Sequence, residues 1–412
     1  MNWWKWAAAA LVAALVTWCF FLNPLITAGA LGAVVAVGAA YIFFVVFRQP
    51  RRATSLDEIS GRGWRTVDLG SETISGNGSR YAIFVRRGTS ANVIVHFSGG
   101  GACWDGVTAS QPITPLRMLR GYTRDLRAFY FASLSRLFPA ALTGMANRRD
   151  KDNPFRDWTF VFIPYSTGDL HVGNTVNTYS HEGRDITVHH RGGANARAAL
   201  AWVFSNCRDV EHVLVSGESS GAWASAFYAP TVADHYPGAR ISCLSDGAGI
   251  VSSRWPELFE RVWNAAPAER LGFEVHEDPY HDALVHRIDG RQRQITYLHA
   301  KTRYDDTLTR FGAALNGVST TTDRFIDEWA SDTGATMRRL SESPLDYRYF
   351  LTDWGENPRR RTTAHTMTTN ELFHTCRSEG IAYSHWLARN VIDDDPLSLG
   401  GSLLARLDAP AP

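Results

Sequence analysis

The chain has 412 residues, of which 45% are hydrophobic and 20% are charged. These proportions are typical of a folded globular protein and exclude a chain that is disordered throughout. The formal net charge is +1 and the basic clusters, Arg51-Arg52 and Arg359-Arg360-Arg361, are short. Nucleic-acid binding is therefore not expected, because it concentrates basic side chains on one element.

The amino-terminal region is apolar, and the composition changes at residue 48. Residues 7–22 and 25–47 carry no charge, and Asn23-Pro24 separates them. The second run has 23 residues, enough for a helix to cross a bilayer, and tryptophans before the first run suit a membrane interface. The sequence therefore predicts an anchor in the lipid bilayer over residues 1–52, with a hairpin of two transmembrane helices favoured over a single span.

The side of the cell membrane on which the rest of the chain lies stays open. Lys5 flanks one end of the anchor and Arg48, Arg51 and Arg52 flank the other, which favours both termini in the cytoplasm. The alternative is a signal-anchor that exports the domain. Ala28-Gly29-Ala30 resembles a cleavage site, but cleavage there would leave an apolar stretch exposed.

Five cysteines do not decide the compartment. Cys19 lies in the first apolar run, and the other four are compatible with two disulfides or with four free thiols: Cys103, Cys207, Cys243 and Cys376. None belongs to a CxxC or Cys/His pattern with zinc spacing, so no metal is expected.

From about residue 53 onward, short β-type runs alternate with helix-length segments. Strands are predicted at Tyr81–Arg86, Asn92–Phe97, Thr159–Pro164, His212–Ser216, Arg240–Leu244 and Gln294–Leu298. Helices are predicted at about 114–137, 194–206, 221–235, 256–265, 322–340 and 383–392. The alternation predicts an α/β fold, doubly wound around a mostly parallel sheet. No linker divides residues 53–412, which predicts one domain with a cap or insertion at about 107–156.

A glycine run follows the strand predicted at Asn92–Phe97. Gly99, Gly100 and Gly101 leave backbone N–H groups unshielded, as an oxyanion hole requires. A phosphate-binding loop would need Gly-Lys-Ser/Thr or GxGxxG, and neither is present. The run therefore favours an oxyanion hole.

Gly217-Glu218-Ser219-Ser220-Gly221 lies between a strand-like run and a helix-compatible run. This order is typical of the nucleophile elbow of serine hydrolases, in which the N–H of the residue after the serine joins the oxyanion hole. Glycine is expected at both ends because side chains two residues from the serine would collide in so sharp a turn.

The acid and base that would activate Ser219 are not fixed by spacing. Asp246 and the pair Asp305-Asp306 both follow predicted strands. His365 lies in a polar stretch after Asn357-Pro358, and a loop suits a catalytic histidine. The histidines at positions 276, 281, 286, 299, 365, 374 and 385 all follow the serine.

Further motifs resemble those of the pectin acetylesterase and Notum carboxylesterase family of α/β-hydrolases. In chain order they are Gly99-Gly100-Gly101-Ala102-Cys103-Trp104, residues 153–158 (NPFRDW), residues 164–173 (PYSTGDLHVG), His190-Arg191-Gly192 with Asn195, residues 217–221, Asp246-Gly247, Tyr304-Asp305 and His365-Thr366-Met367. The resemblance implies Ser219 as nucleophile, His365 as general base and Asp305 as the acid that orients it. It also implies that the N–H groups of Gly101, Ala102 and Ser220 form the oxyanion hole. Asp246, Asp169 and His171 would support the site, and Asp246 remains the alternative acid.

The chain departs from the family pattern at several positions, so the substrate stays open. Ala102 replaces a tryptophan, Ser166 replaces a cysteine and Leu308 replaces a glutamine, while Ser220-Gly221-Ala222 stands where Ala-Gly-Gly is common. The expected activity is hydrolysis of a carboxylic ester, with O-acetyl esters as one candidate, through an acyl-enzyme and without a cofactor. The alternatives are a lipase or thioesterase acting on membrane-derived acyl chains, and a non-catalytic binding or scaffold module on the same fold.

Overall fold

The computed structural model describes residues 24–41, 50–61, 63–114, 117, 127–134, 142–289 and 293–407. The chain divides into two units, one of residues 1–49 with 136–140 and the other of residues 50–135 with 141–412.

Helix α1, Pro24–Tyr41, belongs to the first unit and lies within the second apolar run. On this helix Val34, Val35 and Val37 are exposed. The first predicted transmembrane segment, 7–22, and residues 42–47 of the second lie outside the described residues. A helix of sufficient length and apolarity to span a membrane is not found in the described part of the chain.

The second unit contains the strands and the remaining helices. The strands are β1 (Arg65–Asp68), β2 (Ala82–Arg86), β3 (Asn92–Phe97), β4 (Pro112–Ile113), β5 (Tyr130–Phe131), β6 (Thr159–Ile163), β7 (Thr175–His181), β8 (Arg184–His190), β9 (His212–Glu218), β10 (Arg240–Asp246), β11 (Ile295–Thr302), β12 (Tyr347–Thr352), β13 (Arg377–Ser378) and β14 (Ile381–Ala382). The helices are α2 (Gly106–Ala109), α3 (Gly192–Asn206), α4 (Ser220–His235), α5 (Trp255–Glu257), α6 (Pro267–Leu271), α7 (Pro279–Val285), α8 (Asp306–Leu315), α9 (Asp323–Glu342), α10 (Leu372–Thr375), α11 (Tyr383–Val391) and α12 (Gly401–Arg406), with a 3₁₀-helix at Gly144–Ala146 and a π-helix at Leu258–Val262.

An eight-stranded sheet in the order β1-β2-β6-β3-β9-β10-β11-β12 forms the centre of this unit. Strands β6, β3, β9, β10, β11 and β12 are parallel to one another, and β2 pairs antiparallel with both β1 and β6. Nearly every residue of β3, β6, β9 and β10 is buried, which requires cover on both faces of the sheet. The predicted α/β fold with a mostly parallel sheet is confirmed.

All six predicted strands form, with ends that differ by a few residues. The edge strands β1 and β12 and the hairpin β7–β8 were not predicted; in β7 every second residue is exposed, so its apolar signal is weak. The helix predicted at 256–265 is replaced by α5 and the π-helix, which ends at Val262. The helix predicted at 114–137 lies largely outside the described residues, but Tyr130–Phe131 at its end is strand β5.

The four cysteines of this unit are buried free thiols. Of the two alternatives left by the sequence, the structure therefore has thiols and not disulfides. Burial raises the pKa of Cys207, Cys243 and Cys376 to about 12, so these thiols are neutral, unreactive parts of the core.

Candidate active site

Ser219 is the residue between the end of β9 and the start of α4. Its φ of +54° and ψ of −129° are strained for a residue with a side chain. The two flanking glycines make this bend possible: a Cβ at Gly217 would overlap the carbonyl of Gly221, and a Cβ at Gly221 would overlap the carbonyl of Phe97. The turn therefore has the strand–turn–helix geometry of a nucleophile elbow.

Asp305 and His365 are hydrogen-bonded, with 2.7 Å between Oδ2 of the carboxylate and Nδ1 of the imidazole. Asp305 is also the N-cap of α8, and its Oδ1 accepts from the backbone N–H groups of Thr307 and Leu308 at 3.1 and 2.9 Å. The carboxylate is thus fixed at both oxygens. A carboxylate held in this way orients the ring and determines which of its nitrogens carries the proton.

Ser219 and His365 approach the same dipeptide, Asp246-Gly247, at the carboxyl end of β10. The N–H of Ser219 donates to the carbonyl of Asp246 at 2.8 Å, and a Cβ on Gly247 would lie 3.3 Å from Cε1 of His365. Nε2 of His365 is buried and has no hydrogen-bond partner among the described residues, so the imidazole is not bonded to the Ser219 hydroxyl here. Catalytic hydrogen bonds of this kind are often long without substrate.

The electrostatic surroundings of His365 favour its protonated form. Burial lowers its pKa and is the largest single effect. The charge and hydrogen bond of Asp305, with the charges of Asp246 and Glu218, together outweigh burial, so the pKa is raised above its ordinary value. The protonated form of the ring is therefore stabilised at this position.

Asp246 and Glu218 hold the loop that carries His365. Oδ2 of Asp246 accepts from the N–H groups of Met367 and Thr368 at 2.6 and 2.8 Å and from the Thr368 hydroxyl at 2.7 Å. Glu218 accepts from the Thr369 hydroxyl at 2.7 Å. Burial raises the pKa of Asp246 to about 6 and that of Glu218 to about 7, the latter raised further by the charge of Asp246.

These bonds separate the two candidate acids: the carboxylate bonded to the His365 ring is that of Asp305, and Asp246 bonds the loop. Glu218 was missed by the sequence analysis. Its one signal was its position beside the serine.

The glycine loop offers fewer amides than the sequence predicts. The N–H of Ala102 donates to the carbonyl of Phe129 at 2.9 Å, which removes it from the predicted oxyanion hole. Within the described residues, the N–H groups of Gly101 and Ser220 are bonded to no acceptor. These two amides come from the glycine loop and from the first residue of α4, the two sources that α/β-hydrolases combine.

Asp169 and His171 are buried and occupied by hydrogen bonds. Asp169 accepts from the Thr167 hydroxyl at 2.7 Å and from the N–H of Gly192, the first residue of α3, at 2.7 Å. Nε2 of His171 donates to the carbonyl of Ser98 at 3.0 Å. Burial lowers the pKa of His171 to about 4, so the ring is neutral at pH 7. The two side chains join their loop to α3 and to the strand end before the glycine run.

A small apolar pocket, with a volume of about 30 Å³ and partly open to solvent, lies beside Ser219. Its side chains are mainly aromatic or aliphatic, from Trp104, Leu170, Trp223, Ile250, Trp255, Leu308, Phe311 and Leu315. Gly101 and Ser220 also line it, so the residues that carry the two unbonded amides lie beside the same pocket as the serine. Among the described residues, one group of side chains is arranged to hold a metal ion, and it contains none of the predicted site residues.

A mostly parallel α/β sheet with a serine at a strained strand–turn–helix junction is the arrangement found in α/β-hydrolases. Residues 72–254 match the family model described as Pectinacetylesterase. Over these residues, which are fewer than half of the chain, the match confirms the resemblance to the pectin acetylesterase family that the motifs predict. The matched segment contains the glycine run, the elbow and Asp246, whereas Asp305 and His365 lie beyond it. Comparison with curated proteins finds no match.

Proposed function

We propose that the protein is a serine esterase of the α/β-hydrolase type, with Ser219 as nucleophile, His365 as general base and Asp305 as the acid that orients it. The observation that carries the proposal is the 2.7 Å bond between Asp305 and His365, on a ring whose Nε2 is unbonded among the described residues. His365 and the strained Ser219 both approach Asp246-Gly247. The family match over residues 72–254 supports ester hydrolysis as the reaction class.

In the proposed mechanism, Nε2 of His365 takes the proton of the Ser219 hydroxyl as Oγ attacks the ester carbonyl. The negative charge that develops on the carbonyl oxygen is stabilised by the N–H groups of Gly101 and Ser220. The C–O bond to the alcohol breaks, and the alcohol leaves with the proton from His365. Water, activated by the same imidazole, then hydrolyses the acyl-enzyme and releases the acid.

The two candidate activities, that of a deacetylase and that of a lipase or thioesterase, differ in the acyl group of the ester. The family match favours an acetyl ester. The apolar lining of the pocket beside Ser219 supports the lipase or thioesterase alternative, because its tryptophans and leucines provide the kind of surface that a longer acyl chain contacts.

A series of p-nitrophenyl esters from two to twelve carbons tests the reaction and the acyl group together. For a deacetylase, we expect kcat/KM to be highest for acetate and to fall at least about tenfold beyond four carbons, because a longer chain must displace the pocket walls. A maximum at eight carbons or more would assign the lipase or thioesterase activity instead. Heat-denatured protein is the blank, and no hydrolysis of any ester would leave the non-catalytic alternative.

We also propose that residues 1–52 anchor the enzyme in the cell membrane as a multi-pass segment. The support is the absence of charge over 7–22 and 25–47, together with the exposed valines of α1 at positions 34, 35 and 37. We expect the full chain to stay in the membrane pellet after alkaline carbonate washing and a chain that begins at residue 53 to appear in the supernatant. A full chain that washes off would contradict the anchor.

A further inference from the structure

Three side chains around helix α7 form a cluster outside the proposed active site. His276 precedes the helix, Asp282 lies within it, and His286 is its C-cap. Nδ1 of His286 lies 2.9 Å and Nδ1 of His276 lies 3.4 Å from the same oxygen, Oδ1 of Asp282. All three ligand atoms lie within 4.8 Å of one another. We propose that His276, Asp282 and His286 bind a divalent transition-metal ion, with zinc as the preferred ion.

The two separations between the imidazoles and the carboxylate, 2.9 and 3.4 Å, are close to those of a zinc site. A tetrahedral zinc ion with bonds of 2.0–2.2 Å to nitrogen and oxygen holds its ligand atoms about 3.3 Å apart. Two imidazoles and one carboxylate are borderline donors that suit zinc, whereas magnesium and calcium prefer sites built from oxygen alone. A water molecule completes the fourth position.

The carboxylate is prepared for this role by its surroundings. The Asp282 side chain is 3% exposed, and its Oδ2 accepts from the backbone N–H of His276 at 2.6 Å. That bond aims Oδ1 at the two imidazoles. It is the kind of outer contact that fixes a metal ligand, and it links one ligand to the backbone of another.

The two histidines are accessible to an ion from solvent. Their side chains are 56% and 48% exposed for His276 and His286. Asp282 and His286 are four residues apart and project from the same face of the helical turn. The metal ion would bind where the two Nδ1 atoms now face Oδ1, and the ring protons would move to the exposed Nε2 atoms.

The cluster of His276, Asp282 and His286 lies between the two ends of the chain segment that contains α7. Just outside it, Phe273 pairs with Arg287, and the N–H of Ile288 donates to the carbonyl of Gly272 at 3.0 Å. The carbonyl of Glu277 accepts from the N–H of Ser252 at 2.8 Å, in the loop that follows β10. A metal ion bound by the cluster would hold together the segment that contains α7, and this segment contacts the loop after β10. We therefore expect the ion to increase the stability of the folded chain.

Titration of the untagged full chain with zinc chloride, after removal of metal with EDTA, tests the proposal. We expect one zinc ion per chain by calorimetry and an increase in the thermal midpoint of about 3 °C at a hundredfold excess of zinc over its Kd. His276→Ala and His286→Ala should each weaken binding by more than about tenfold, because each removes one of three ligands.

The matched control is His385→Ala, which removes an exposed histidine on α11 and should bind zinc as the unchanged chain does. Both ligand variants alter exposed side chains and should fold, which circular dichroism verifies. Absence of zinc binding, or binding of equal affinity in either ligand variant, would overturn the site. The latter result would place the ion on other groups.

Discussion

Ser219→Ala is expected to lower kcat for the best p-nitrophenyl ester by roughly 10⁶-fold, as removal of the nucleophile does in other serine hydrolases. The physical reason is that no oxygen remains to form the acyl-enzyme, whereas the amides of Gly101 and Ser220 and the pocket are retained. Initial rates give the change in kcat, and a fluorophosphonate probe should label the unchanged chain but not the variant.

The folded state should be preserved in this variant, since an alanine methyl group fits where the serine side chain was. The thermal midpoint and the circular dichroism spectrum check this point. Ser205→Ala, on the exposed side of α3, is the matched control and should retain full activity. Full activity in Ser219→Ala, with the fold intact, would refute the nucleophile.

Asp305→Asn is expected to lower kcat by about 10⁴-fold, because an amide at this position holds the wrong tautomer of His365 and cannot stabilise the imidazolium. Asparagine is as good an N-cap as aspartate, so the start of α8 should stay formed. Asp306→Asn is the control: Asp306 is the next residue, and its carboxylate bonds Arg310 at 2.9 Å. It should leave kcat within about twofold, as exposed ion pairs contribute little.

Asp246→Asn distinguishes the two acids in the same assay. The charge of Asp246 raises the pKa of His365, so removing that charge lowers the pKa. The base works only when neutral, and the acidic limb of kcat/KM should therefore move to lower pH, with a smaller loss of kcat than in Asp305→Asn. A larger loss of kcat in Asp246→Asn would exchange the roles of the two carboxylates.

The fold and the elbow could be predicted because their signals are local. Buried parallel strands appear as apolar runs in the sequence. The elbow is recognisable because a side chain at position 217 or 221 would overlap the backbone, so glycine is found at both positions. The acid could not be chosen in this way. Asp246 ends β10 and Asp305 follows the neighbouring parallel strand β11, so both lie at the same edge of the sheet. What separates them is a hydrogen bond between residues 60 positions apart.

Other parts of the site depend on pairings that the sequence does not reveal. The N–H of Ala102 is taken by Phe129 because Gly101 pairs with Tyr130, in a segment predicted to be helical. From the sequence alone, the histidines of the proposed metal site are only candidate bases. The expectation of no metal rests on the spacing of the cysteines. Their proximity arises from the pairing of Phe273 with Arg287 on either side of α7.

The hydrogen bond between Glu218 and Thr369 links the pH range of the proposed activity to the pH dependence of the free energy of unfolding. In the folded chain the pKa of Glu218 is raised from 4.5 to about 7, so this group favours folding when protonated and its contribution declines as pH rises through that interval. In the proposed mechanism, His365 is a usable base only above its own raised pKa. A rise in pH therefore frees the imidazole and also ionises Glu218, which adds a second negative charge to that of Asp246 at the loop that carries His365.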